Sequence, residues 1–320
     1  MNLYRSARAV AGASGDDMID WRSAAEAAKA ATDPGSITLE AGEREAYARD
    51  VRDARDGVRS VSGLEFDVPT TVEIQNRHHW IDANVATFER VMGTLEKHAH
   101  SGAFPGVAQT INTGTMTVLL SFLGRNVLGQ YDPLLLADAP DEDHALYFVR
   151  PNILKAADSL AVDPDRFRRW IAFHEVTHAA EFGAAPWLSD HLEQRMEKGI
   201  AALSEGSFDR AAFRELDAAM TVVEGYAELL MDHAFDDEYE DLRRKLDERR
   251  QGRGPLQQLL RRLLGLGLKK RQYERGKHFF ETVVEVQDLE TASLVWEGPE
   301  YLPSHDELDA PRAWIRRVDR

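Results

Sequence analysis

Three side chains raise the first chemical question: His174, Glu175 and His178, in the run Phe173-His-Glu-Val-Thr-His178. Two histidines four residues apart project from one face of a helix, so both imidazoles can bind one zinc ion at about 2.0–2.1 Å. The glutamate just after the first histidine is placed to reach a water held by that ion rather than the ion itself. The chemistry of this pattern is metal-assisted hydrolysis, with Glu175 as general base. Phe167, Ile171, His174, His178 and Phe182 follow the helical period, which turns the histidines toward the core-facing side. Two core histidines with no ligand are the alternative. That arrangement is costly, because each buried ring has two nitrogens to satisfy.

A catalytic zinc takes a third protein ligand and keeps one position open. Extension of the motif along the same helix would need Gly at 181 and His at 184, where the chain has Glu181 and Ala184. Glu197 has a workable spacing, yet Gln194-Arg-Met-Glu-Lys198 is a charged surface pattern. Glu224 fits better. In Val222-Val-Glu-Gly-Tyr-Ala-Glu228 it borders the apolar stripe Leu216, Met220, Val223, Ala227 and Met231. A carboxylate buried there must be paired or bound to a metal. Glu228, one turn on, can accept the outer N–H of a ligating histidine. Pairing of both carboxylates with arginines at a helix seam is the other reading. Gly225 leaves room for a facing helix or a substrate.

Helices must position these groups. Asp163 can cap one and Pro164 suits its first position, with Gly183 and Pro186 ending it. A second long helix is expected from about Ser207 to Phe235, and a last one from Tyr273 to Val286. Residues 17–62 read as two polar helices broken at Asp33-Pro34-Gly35 and restarting near Thr38, their charges mostly solvated. Trp80 to Leu95 has helical spacing, and an apolar helix follows Gly106 to near Gly129, closed by Gln130-Tyr131-Asp132. His144 to Arg150 is the best strand candidate, aromatic and β-branched, and its backbone is a possible rail for an extended substrate. The expected fold is mainly α with a small β-sheet: an N-terminal helical portion, 1–140, and a catalytic portion, 141–320, as one continuous globular unit.

Composition narrows the partners. With 320 residues, 43% hydrophobic and 29% charged, the chain is an ordinary globular sequence. Its net charge is -16, without a basic block, which argues against nucleic acid or anionic membrane as partner. Scarce lysine among plentiful acidic residues fits a salt-adapted, halophilic host. There are no cysteines, hence neither a disulfide nor a thiolate metal site. Met1 to Asp16 lacks a signal-peptide core, and Met116 to Leu136 is too polar to cross a bilayer, so a cytoplasmic protein is expected.

His-Glu-x-x-His followed by Glu-Gly-x-Ala-Glu resembles the glutamate zincins. More closely, the chain resembles a zincin-like metallopeptidase family of actinobacteria and haloarchaea labelled "coenzyme F420 biosynthesis-associated", a label of gene association that no residue here carries. The matching stretches are spread over the chain: Ile19-Asp-Trp21, Trp80-Ile-Asp-Ala-Asn84, Val127 to Asp132, Val149-Arg-Pro-Asn152, Trp170 to Phe182, Pro186-Trp-Leu188, Glu224 to Glu228, Gln272 to Gly276 and Leu302-Pro303. The resemblance implies a zincin-like core and a peptide or peptide-like substrate, and it assigns Glu224 to the zinc. It also implies an oxyanion-stabilising group on a later helix, for which Tyr226, His233, Tyr273 and His278 are available. Tyr273 is the choice, because it opens the last helix within a matching stretch. The competing function is a zincin-fold binding or scaffold protein without turnover, for which Glu175 would have no use.

Overall fold

The computed structural model describes residues 3–12, 17–96, 105–132, 145–204, 209–235, 241–245 and 266–319. The chain divides into two compact units built from interleaved segments. Met1–Gly42, Thr70–Ala156 and Glu197–Asp209 form the first; Glu43–Pro69, Ala157–Met196 and Arg210–Arg320 form the second. Strand β1 (Thr71–Gln75) lies parallel to strand β3 (Ala145–Val149), which draws the segment beyond 145 into the first unit.

In the first unit a three-stranded sheet has the order β1-β3-β2, with β2 at Gly129–Asp132 running antiparallel to β3. The sequence reading foresaw only β3. It took Gln130-Tyr131-Asp132 as a helix end, but the segment is a strand. Because β3 lies in the middle, both of its edges are already hydrogen-bonded, so its backbone offers no rail for an extended substrate. Around the sheet, Ile19, Trp21, Ala24, Ala28, Trp80, Ile81, Met116, Leu120 and Val149 form a buried apolar cluster. It is supplied by helices α2 (Trp21–Ala31), α4 (Arg77–Glu96) and α5 (Pro105–Asn126).

Polar side chains lock this unit. Trp80 Nε1 donates to Gln130 Oε1 at 2.7 Å, Gln130 Nε2 donates to Asn84 Oδ1 at 2.8 Å, and Asn84 Nδ2 donates to the Trp80 carbonyl at 2.9 Å. Asn152 Nδ2 donates to the Val127 carbonyl at 2.7 Å and to that of Gly124 at 3.0 Å, while its Oδ1 accepts from Arg77 Nε at 2.7 Å. The short motifs Trp80–Asn84, Val127–Asp132 and Val149–Asn152 are therefore fastenings, each satisfying a buried polar group that would otherwise cost about 1–3 kcal/mol. Gly35 has φ +71 where an added Cβ would meet Pro151, so the break at Asp33-Pro34-Gly35 needs glycine for both reasons.

The second unit is helical. Helix α3 (Glu43–Ser62) packs on helix α7 (Pro164–Ala184), and α7 contacts helix α9 (Arg210–Ala234). Helix α3 begins at Glu43, later than the restart expected near Thr38. Its charges are not all solvated either: Asp50 Oδ2 accepts from Arg168 Nε at 2.6 Å, a buried ion pair that ties α3 to α7. The start of α7 is the one foreseen, with Asp163 Oδ1 accepting from Arg166 N at 2.8 Å and Pro164 in the first turn.

Helix α10 (Leu266–Val286) crosses α9 at two glycines. A Cβ on Gly225 would lie 2.5 Å from Gly276 Cα, and one on Gly276 would meet the Thr221 carbonyl and Gly225 Cα, all backbone atoms. Alanine in an exposed helix normally stabilises relative to glycine by about 1 kcal/mol. Here it forces two backbones apart, an overpacking that costs about 1–3 kcal/mol. Where the overpacking outweighs the helix-propensity gain, Gly225→Ala and Gly276→Ala each lose unfolding free energy, and each is expected to unfold at a lower urea concentration than the wild type. An unchanged or raised midpoint in either would show that the crossing is looser than these contacts require.

Candidate metal centre

Helix α7 carries Trp170, His174, His178 and Glu181 along one line of its surface, at successive spacings of four, four and three residues. The rings of Trp170 and His174 stack, with centroids 5.4 Å apart and planes at 11°. His174 and His178 meet edge to face at 4.7 Å. From α9, Glu224 completes a triangle with the histidines: one ligand atom from each of His174, His178 and Glu224 lies within 4.8 Å of the others. A tetrahedral zinc about 2.0–2.2 Å from each donor would set them about 3.3–3.6 Å apart. The donor set of two imidazoles and one carboxylate fits that ion. Among the described residues this is the group of His and carboxylate side chains with the spacing to hold a metal.

Charge makes the same point. Glu175, Glu181, Glu224 and Glu228 are all buried, at 7%, 0%, 6% and 4% exposure. Burial alone would pull the His178 imidazole down. The charge of Glu181 and its hydrogen bond outweigh that, together with Glu224 and Glu175, and hold His178 well above the usual histidine range. Burial pushes the Glu181 carboxyl up. Carboxylates grouped with imidazoles in this way favour positive charge, which a divalent cation at His174, His178 and Glu224 would supply.

Glu228 lies one turn beyond Glu224 on α9 and is buried. The hydrogen bond to His178, however, comes from a residue the sequence reading had weighed only as a missing glycine. Glu181 Oε2 accepts from His178 Nδ1 at 2.8 Å. Its spacing of three from His178, on the stripe that carries both histidines, was the available signal. Glu197, set aside above as part of a charged surface pattern, is exposed.

Of the groups considered for oxyanion stabilisation, the Tyr273 side chain lies outside the described residues. Tyr226 is fully buried, packs edge to face on Phe280 and Trp296, and its hydroxyl is bonded to Ser293 Oγ at 2.8 Å. His233 Nδ1 bonds the Leu229 carbonyl at 2.8 Å, and His278 is exposed. Tyr226 and His233 thus serve the packing and the helix rather than a reacting group. A cavity of about 740 Å³ opens elsewhere in the second unit, lined by His191, Arg195, Arg214, Glu215 and His305 and by none of the metal-site residues. Arg195 and Arg214 are engaged there by Glu215 and Asp306.

No described helix is long and apolar enough to cross a membrane. No curated protein matches the chain. Among solved structures, the crystal structure of a "putative hydrolase with a novel fold" from Chloroflexus aurantiacus is similar over 100% of this chain and 99% of its own, at 30% identity and a TM-score of 0.74. A family model described as zincin-like metallopeptidase matches residues 19–207 and 192–315, taking in both histidines, Glu175 and Glu224. The mainly helical architecture, the two-histidine helix and the glutamate helix beside it thus have one explanation: the chain belongs to the zincin-like metallopeptidase family.

Proposed function

We propose that the protein is a zinc-dependent hydrolase that cleaves a peptide or peptide-like amide. The observation that carries this reading is the convergence of His174, His178 and Glu224 from two helices, with Glu175 buried beside them. His174, His178 and Glu224 would hold the ion. When bound, zinc acts as a Lewis acid that makes water a nucleophile near neutral pH and polarises a carbonyl. Glu175, on the same helix as the histidines, takes the proton at its carboxylate and returns it to the leaving nitrogen. Glu224 cancels positive charge and braces α9 against α7. The low dielectric around these buried groups strengthens their electrostatic effect on a substrate.

Two measurements test the reading. Purified full-length protein is expected to hold about one zinc per chain after gentle dialysis, as a site with three protein ligands should. His174→Ala and His178→Ala should each remove most of that metal. Less than about a tenth of an equivalent in the wild type, with none regained on adding zinc, would end the metal reading. Zinc-loaded protein is then expected to release new amino termini from a pooled peptide library. Tight zinc binding with no cleavage across such a pool would favour a zincin-fold scaffold over an enzyme.

A further inference from the structure

We propose that Glu181 is a positioning residue of the metal centre: its carboxylate holds His178 by Nδ1, so that Nε2 is the nitrogen offered to the ion. This rests on the metal reading above and adds to it a residue outside the ligand set and outside the proton-transferring role of Glu175. Glu181 is 0% exposed and sits one turn past His178 on α7, so the ring and the carboxylate are carried by one rigid element. The bond is 2.8 Å, between His178 Nδ1 and Glu181 Oε2. The other oxygen, Oε1, has no hydrogen-bond partner among the described residues, so the imidazole is the contact that explains the buried acid.

An imidazole that donates from Nδ1 has only Nε2 left with a lone pair. A carboxylate acceptor on the outer nitrogen also raises the basicity of the ligating one and fixes the ring plane. The same helix holds the other histidine differently. Trp170, one turn before His174, lies flat against its ring. The two ligand rings are thus restrained from opposite ends of a single stripe, by stacking on the N-terminal side and by a hydrogen bond on the C-terminal side. Such restraint lowers the ordering cost that a flexible ligand set would bear on binding.

The test uses the full chain with zinc or cadmium alone. Glu181→Ala removes the acceptor, and Glu181→Gln keeps an oxygen acceptor of nearly the same shape while removing the charge. Zinc affinity, measured by chelator competition, is expected to fall about 10–100-fold in Glu181→Ala. Glu181→Gln should lose less, because its amide oxygen can still accept from Nδ1. In protein loaded with cadmium-113 and labelled with ¹⁵N-histidine, the one-bond coupling at His178 should appear on Nε2 in the wild type and in Glu181→Gln. Should the alanine variant fail to fold, the glutamine variant decides by itself: weaker zinc binding with coupling kept on Nε2 supports the proposal.

Coupling on Nδ1 in the wild type overturns it, as does zinc affinity within about twofold of wild type in the folded variants. A wild type that takes up no metal removes the metal reading and this proposal with it. Metal-binding wild type with unaffected variants removes the proposal alone.

Discussion

Glu175→Gln is expected to keep its zinc and lose its activity. Glutamine preserves the shape and polarity of the buried side chain, so α7 and the two histidines on it should stay in place. What disappears is a base. Proton transfer by a positioned side chain contributes about 10²–10⁴-fold, and the cleavage rate should fall by that factor while metal content stays near one equivalent. The two readouts must be taken on the same preparation, because activity lost with metal lost would say nothing about a base. Glu175 is only 7% exposed and its charge acts on the His178 imidazole, but it stands outside the triangle of His174, His178 and Glu224. No donor of that triangle is removed with it, so zinc affinity should change little. If Glu175→Gln instead emptied the site, Glu175 would be holding metal and the base would have to be sought elsewhere.

The second large effect separates the two glutamates of α9. Glu224→Ala should lose zinc more readily than Glu228→Ala when the two are titrated in parallel against a chelator. Glu224 is the carboxylate that forms the compact triangle with His174 and His178, so its loss removes a donor outright. Glu228 is equally buried one turn away and outside that triangle. Loss of a supporting group costs about 10–100-fold in metal affinity, and loss of a ligand should cost more. The opposite ranking would exchange the roles of the two residues. Equal affinity to wild type in both variants would remove α9 from the site.

How much of this was legible in the sequence depends on how local the information was. Helix α7 was readable from end to end, because its cap, first proline and apolar stripe all lie within one stretch. Glu224 was readable because Glu-Gly-x-Ala-Glu borders an apolar stripe, where a carboxylate needs a reason to be. Strands β1 and β2 were not, for they are five and four residues long and exist through pairing with β3, which lies far along the chain from β1. Asp50 looked like one charge among many on a polar helix. Only its partner Arg168, 118 positions away, makes it a buried ion pair. Glu181 is the instructive case. Its position on the histidine stripe was visible, but the question asked of it was whether it extended the ligand motif. In the structure its carboxylate instead accepts a hydrogen bond from the His178 imidazole.

The crossing of α9 and α10 limits how this protein can change. Gly225 and Gly276 press backbone on backbone, so a bulkier residue at one position cannot be accommodated by a smaller residue at the other. No second-site suppressor is available by shrinking the partner, since the partner has no side chain left to give up. Selection for revertants of Gly276→Ala should return the glycine codon itself, or changes that shift whole helices, in preference to compensating substitutions at the contact. Glu224 is the immediate neighbour of Gly225, so a lineage that drifted at this crossing would displace a metal-site residue in the same step, tying the history of a packing contact to that of the chemistry beside it.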